Sequence, residues 1–168
     1  DWKVVFENNR ECYHCAGAHP EYIRANYDLD VTNGTRTDLV ELAVESCTVR
    51  WREMGLAVPT AVSDMTGTWY RCNRTPLVDG FLTESLDGRL VAPLLGDLTS
   101  PDVGTLRITT FPNFWTHVSC DHAMTTRLLP LAAGRTAVRV CWLVRQDAEE
   151  GRDYAVDRLT PFWQRTSE

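Results

Sequence analysis

Between residues 136 and 145 the chain alternates without interruption: Val138, Val140, Trp142 and Val144 on one side, Arg139, Cys141, Leu143 and Arg145 on the other. A period of two sends successive side chains to opposite faces of an extended chain, so this stretch predicts a β-strand with one face on a core. A strand needs hydrogen-bonding neighbours. Candidates precede it at residues 69–72, 77–83, 106–111, 113–119 and 123–131. Ala132-Ala133-Gly134-Arg135 reads as the hairpin turn into the last strand, and Leu86-Asp87-Gly88-Arg89 as a second turn. Pro112 marks a break or tight corner.

Helical patterns flank these strands. Residues 2–15 read as one helix, with Trp2, Val5, Phe6 and Tyr13 on the buried side and Asn8, Glu11 and His14 on another. Residues 20–37 are polar and turn-rich and read as a loop. From Asp38, residues Leu39, Leu42, Ala43, Cys47 and Trp51 recur at helical spacing, with Gly55 as the stop; a strand over 47–51 is the alternative. Residues 153–168 read as helix, with Thr160 and Pro161 as N-cap and first helical residue. Helices around a run of antiparallel strands make an α+β domain.

At 168 residues the chain is long enough for one domain with a sizeable core. No apolar run approaches the roughly 18 residues of a membrane span. A net charge of −6 argues against nucleic acid, which requires a clustered basic surface. The six cysteines are irregularly spaced in a long chain, which reads as reduced thiols and a cytoplasmic home rather than a secreted disulfide framework. The chain opens on Asp1-Trp2-Lys3, inside what reads as an ordered element, and is expected to be a fragment.

The chemistry concentrates in Glu7-Asn8-Asn9-Arg10-Glu11-Cys12-Tyr13-His14-Cys15-Ala16-Gly17-Ala18-His19-Pro20. Spacings of three put Asn8, Glu11 and His14 on one helical stripe. On an unbroken helix His19 would point about 140° away from His14. Gly17 supplies a break and Pro20 prevents simple continuation, so the chain can turn back and bring His19 to the same point. Two converging neutral imidazoles are half of a site for Fe, Zn, Cu or Ni. Cys12, His14, Cys15 and His19 together offer a cramped zinc alternative. Cys12-x-His14 and Cys120-x-His122 are both C-x-H pairs, whereas a Rieske cluster needs one C-x-H and one C-x2-H. The chain therefore does not carry that cluster.

The whole string, with E-x-x-H-x4-H at its centre and Asn8 ahead of it, resembles the iron-site segment of Rieske-type non-haem iron oxygenases, in the catalytic domain of their large (alpha) subunits. Ser85-Leu86-Asp87-Gly88, Val91-Ala92-Pro93-Leu94, Phe111-Pro112-Asn113-Phe114-Trp115 and Thr125-Thr126-Arg127-Leu128-Leu129-Pro130 resemble the branch acting on betaines and related quaternary amines. The resemblance implies a curved antiparallel sheet gripping helices. It implies a single catalytic domain over residues 1–168, lacking an upstream Rieske domain and a C-terminal end.

By the same resemblance, His14 and His19 are ligands of a mononuclear Fe(II), and Glu11 is the acidic bridge to a histidine on the [2Fe-2S] Rieske cluster of a neighbouring subunit. Asn8 is a supporting residue beside the ligands. The third ligand is an Asp expected beyond Glu168; Asp147, Asp153 and Asp157 do not match its motif. Electrons come from NAD(P)H through a reductase or ferredoxin component, and the assembly is a homotrimer. The implied activity is that of a terminal oxygenase acting with O2 on a small molecule, with oxidative N-demethylation of a betaine first and aromatic-ring dioxygenation second. A non-catalytic ligand-binding domain and a zinc hydrolase using the same His pair are the readings from other classes. Trp69, Tyr70, Phe111, Phe114 and Trp115 are candidate pocket aromatics, suited to a cation. For His117 and His122 the expectation is a core or edge role.

Overall fold

The computed structural model of the chain describes residues 1–10, 12, 14–27, 37–59 and 70–167, the side chains of 37–40 excepted. Five strands follow in chain order and pair with their neighbours as an antiparallel meander: β1 (Tyr70–Thr75), β2 (Thr105–Thr110), β3 (Phe114–Val118), β4 (Ala123–Ala132) and β5 (Arg135–Leu143). The α+β expectation holds. The β4–β5 turn sits where Ala133-Gly134 was read, with Gly134 at φ 73°. The register shifts between Pro130 and Ala132, an irregularity that accommodates a residue without an N–H.

Alternation assigns the faces. Arg71 and Asn73 of β1, Arg107 and Thr109 of β2, Trp115 and His117 of β3, Met124 and Thr126 of β4, and Val140 and Trp142 of β5 share one side. Two helices cover it: α3 (Pro20–Ala25) and α6 (Pro161–Thr166). Ala25, Met124, Phe162 and Trp163 form the core between them, flanked by Tyr22, Phe81, Leu86, Val140 and Trp142. The Thr166 hydroxyl donates to Glu21 at 2.8 Å and ties α6 to α3. Thr160 precedes Pro161 at the start of α6, and a separate turn, α5 (Val156–Leu159), occupies the residues before it.

Three segments differ from the sequence reading. The helix expected over 2–15 ends early, as α1 (Trp2–Arg10), and a one-turn α2 (Cys15–Ala18) follows. The loop expected over 20–37 begins instead with α3, because Pro20 has the φ of a first helical residue and lacks only an N–H the helix would not use. The strand expected over 77–83 reduces to one bridge between Leu77 and Asn26, since Asp79-Gly80 turns the chain, with Gly80 at φ 92°.

The fourth helix, α4 (Thr37–Glu53), forms where Asp38 to Trp51 predicted one, with Gly55 just past its end at φ 73°. Trp51 is its fully buried anchor and donates its indole N–H to the Asp102 carbonyl at 2.9 Å, whereas Leu42 remains exposed. Gly104 makes this docking possible. Its φ is +63°, and a Cβ there would run into the Thr75 carbonyl and the Trp51 ring. Gly104→Ala should cost about 3 kcal/mol of stability through overpacking plus backbone strain. Gly151→Ala, at φ +82° with open space around the Cβ, should cost only about 1 kcal/mol. Denaturant midpoints of the two variants check the difference.

Candidate metal centre and the sheet face beside it

His14 begins α2 with φ −90° and ψ −16°. Its carbonyl accepts from Gly17 and Ala18 at 3.1 and 2.9 Å, closing the single turn, and His19 N donates to the Cys15 carbonyl at 2.9 Å. His19 then leaves the helical region, with φ −129° and ψ 62°, and Pro20 starts α3 in a new direction. The break is thus at His19, and Gly17 lies inside α2. A residue before proline is pushed out of the α region, which is the local reason for the turn. This one non-helical residue undoes the divergence that an unbroken helix would impose. The two rings meet edge-on, with centroids 5.0 Å apart and planes at 83°, and their Nε2 atoms lie 3.1 Å from each other. Asn8 Nδ2 lies 3.5 Å from His14 Nε2. Glu11 and Tyr13 lie outside the described residues.

The pair passes a simple test for a shared cation. Two imidazole nitrogens each about 2.1 Å from one ion, at roughly a right angle, are about 3 Å apart. Burial first and His14 second lower the pKa of His19, against a smaller opposing effect of Glu21. That keeps the His19 ring neutral near pH 7, the form that binds metal. His19 Nδ1 is buried and finds no hydrogen-bond partner among the described residues. Among those residues no three His, Cys, Asp or Glu side chains converge as a metal-binding group. Cys12 and Cys15, expected as thiols, form a disulfide; three residues apart with Cα atoms at 4.9 Å, they are close enough to bond. Neither sulfur is then a thiolate, which removes the four-ligand zinc arrangement. Asp147 and Asp153 pair with Arg145 and Arg152 at the surface, and Asp157 is exposed.

Comparison with known proteins decides the family. The profile of the ring hydroxylating alpha subunit (catalytic domain) family matches residues 1–168. The chain belongs to this family. It is 40% identical over 170 aligned residues to the glycine betaine monooxygenase oxygenase subunit of Chromohalobacter salexigens, covering 100% of the chain and 38% of that protein. To the protein of the same name from Pseudomonas aeruginosa (strain UCBPP-PA14) it is 38% identical, covering 100% of the chain and 39% of the relative. The chain thus spans less than two fifths of the length of these relatives. No described helix is long and apolar enough to cross a membrane.

In this ring hydroxylating alpha subunit domain, α3 links the histidine pair to the sheet. Tyr22, one turn beyond His19, packs against His117 and Trp163 with ring centroids 6.1 Å away in each case, and the Arg107 guanidinium lies 5.7 Å from its ring centroid. His117 in turn meets Trp163 at 4.5 Å. Of the aromatics anticipated for a pocket, Trp115 lies on this face by register. Phe114 and Tyr70 fall on the opposite one. Phe111 packs on Phe6, and Trp69 lies outside the described residues. Tyr22, Trp142 and Trp163 are the aromatics that sequence reasoning passed over; only the helix–sheet packing brings them together.

Behind this surface sits a polar core. Glu84 is 1% exposed and accepts from Thr105 and Ser119 hydroxyls and from His117 Nδ1, each at 3.1 Å. Burial alone would raise its pKa, but His117, then Arg107 and His122, bring it down to about 2. Asp121 likewise accepts from Thr83 at 2.5 Å, from His122 Nδ1 at 2.8 Å and from the Val91 N–H at 2.7 Å. Burial opposes its ionisation, yet these partners hold its pKa below the usual carboxylate range. The Cys120 thiol donates to the Leu82 carbonyl, and burial followed by Asp121 pushes its pKa up to about 12, so it stays protonated. His117 and His122 are both core histidines, each held by an acid that no motif in the sequence marks.

Proposed function

We propose that the chain is the mononuclear-iron domain of a terminal oxygenase that oxidises an N-methyl group of a betaine. The observation that carries the reading is the 3.1 Å convergence of His14 and His19 Nε2, in a chain of this family whose relatives are named glycine betaine monooxygenase oxygenase subunits. His14 and His19 would hold the metal from one side, leaving the remaining positions to an acidic ligand and to O2. When bound, ferrous iron supplies the dioxygen chemistry that no side chain can perform.

In this reading residues 1–168 form one domain of a larger oxygenase, and Glu11 joins His14 to a histidine of a neighbouring subunit's Rieske cluster. Asn8 supports His14. A trimer, a reductase or ferredoxin component supplied by NAD(P)H, and a cytoplasmic setting belong to the same reading. One atom of O2 enters a C–H bond of the N-methyl group. The other leaves as water with two electrons from the reductase and two protons. The carbinolamine then breaks its C–N bond, giving formaldehyde and the demethylated amine.

The test is an assay of the full-length protein with its reductase against a panel of betaines and arenes. One formaldehyde per O2 with a betaine is the expected result. A cis-dihydrodiol from an arene, without formaldehyde, would replace demethylation by ring dioxygenation. A full-length protein free of iron and inert towards both would leave only ligand binding. Glu11→Gln should retain iron and lose turnover by about 100-fold, the upper range for an outer-shell partner. Unchanged turnover would remove the bridge.

A further inference from the structure

Two arginines on the helix-covered side of the sheet have no acid bonded to them among the described residues. Arg71 of β1 pairs in register with Thr109, and Arg107 of β2 pairs with Asn73, so the two are diagonal neighbours on one face. Arg107 is held in place: Nη2 donates to Asn26 Oδ1 at 2.8 Å, and the guanidinium lies over the Tyr22 ring. Its Nε is nevertheless buried without a hydrogen-bond partner among the described residues. The charge of Glu84 acts on Arg107, but the Glu84 oxygens already serve His117, Thr105 and Ser119. Arg71 makes no ion pair or hydrogen bond among the described residues. Partial burial first, and the Arg107 charge second, lower its pKa. Two like charges side by side are unfavourable on their own and favour an anion that both can bind.

Resting on the functional reading above, we propose that Arg71 and Arg107 form the subsite for the carboxylate of a betaine substrate. Two guanidinium forks match a carboxylate's two oxygens, and the Arg107 Nε, unbonded among the described residues, is a donor awaiting an acceptor. Position also suits the role. Tyr22, which Arg107 stacks on, lies three residues beyond His19, about 4.5 Å of helix rise. Three bonds of about 1.5 Å separate a glycine-type carboxyl carbon from an N-methyl carbon, a reach of at most about 4 Å. A carboxylate held at the arginines leaves its ammonium end to the rings of Tyr22, His117 and Trp163 between the sheet and α3, where Tyr22 and Trp163 attract a cation. The subsite selects a zwitterion over an equally cationic alcohol.

The experiment measures binding, by calorimetry, of glycine betaine and of choline to the full-length protein and to Arg71→Gln and Arg107→Lys. Choline carries the same trimethylammonium group without a carboxylate. Arg71 retains solvent contact and belongs to no core cluster, so its variant tests the subsite with little disturbance of the core. The expected result is a 10–100-fold loss of glycine betaine affinity in each variant, with choline affinity unchanged. Equal losses for both ligands, or none for glycine betaine, would overturn the subsite. If the wild type demethylates glycine betaine and the variants keep their affinity, the subsite fails while the functional reading stands. If the wild type binds glycine betaine through the arginines without turnover, the subsite stands and the functional reading fails. A wild type that does not bind glycine betaine ends both.

Discussion

On the proposed function, His14→Ala and His19→Ala should each strip the full-length protein of mononuclear iron and abolish turnover, while leaving the fold intact. With Nε2 atoms 3.1 Å apart, the two rings can share one ion, and neither ring alone offers more than a single nitrogen to it. The loss should exceed the roughly 10–100-fold that removal of an outer partner costs. Both rings are only half-buried and sit at the ends of a one-turn helix away from the main core cluster, so truncation removes little apolar packing. Metal analysis beside a far-UV spectrum separates the two effects. A variant that keeps its full iron would show that the pair does not hold the metal.

Glu84→Leu should be the most destabilising single change, at about 3–5 kcal/mol. It removes the acceptor of three buried donors, from His117, Thr105 and Ser119, and leaves each without its partner. The pH dependence gives a second handle. The pKa of Glu84 falls from 4.5 in the unfolded chain to about 2 in the fold. Its stabilisation is therefore complete above about pH 4.5 and is lost as pH falls towards 2, a difference of roughly 3 kcal/mol. His117 acts in the same direction. Burial lowers its pKa, against the pull of Glu84, so protonating it in the fold costs stability below about pH 6.5. Stability should thus decline steadily on acidification. Glu84→Gln, which keeps the shape and removes the charge, should flatten the lower part of that decline. Denaturant midpoints from pH 7 to pH 3 check it; parallel curves for wild type and variant would assign the acid sensitivity to other groups.

Strands were legible wherever apolar residues alternate, as in β5, and wherever a turn residue such as Gly134 closes a hairpin. These are local signals that survive in a bare string of letters. The same holds for α4, whose apolar spacing identified a helix although most of its described side chains face solvent. Leu77 to Thr83 misled because an apolar run specifies burial and not pairing; Leu77 is buried, but Asp79-Gly80 turns the chain before a ladder can form. At the histidines, the spacing and Pro20 foretold a reversal, while its location at His19 rather than Gly17 depended on the backbone of two short helices.

By itself the sequence determined the antiparallel α+β class, the presence of a histidine pair that an unbroken helix would keep apart, and the family. The first two follow from period, turn chemistry and spacing, and the family from the resemblance of its motif strings; all involve residues close together in the chain. Only the tertiary structure decided that Glu84 lies under His117, that Arg71 and Arg107 share a face with no acid among the described residues bonded to either, and that Tyr22 and Trp163 rather than Phe114 and Tyr70 join that face. Those contacts join residues tens of positions apart, and their energies come from burial and from charges held in low dielectric, which no local pattern encodes.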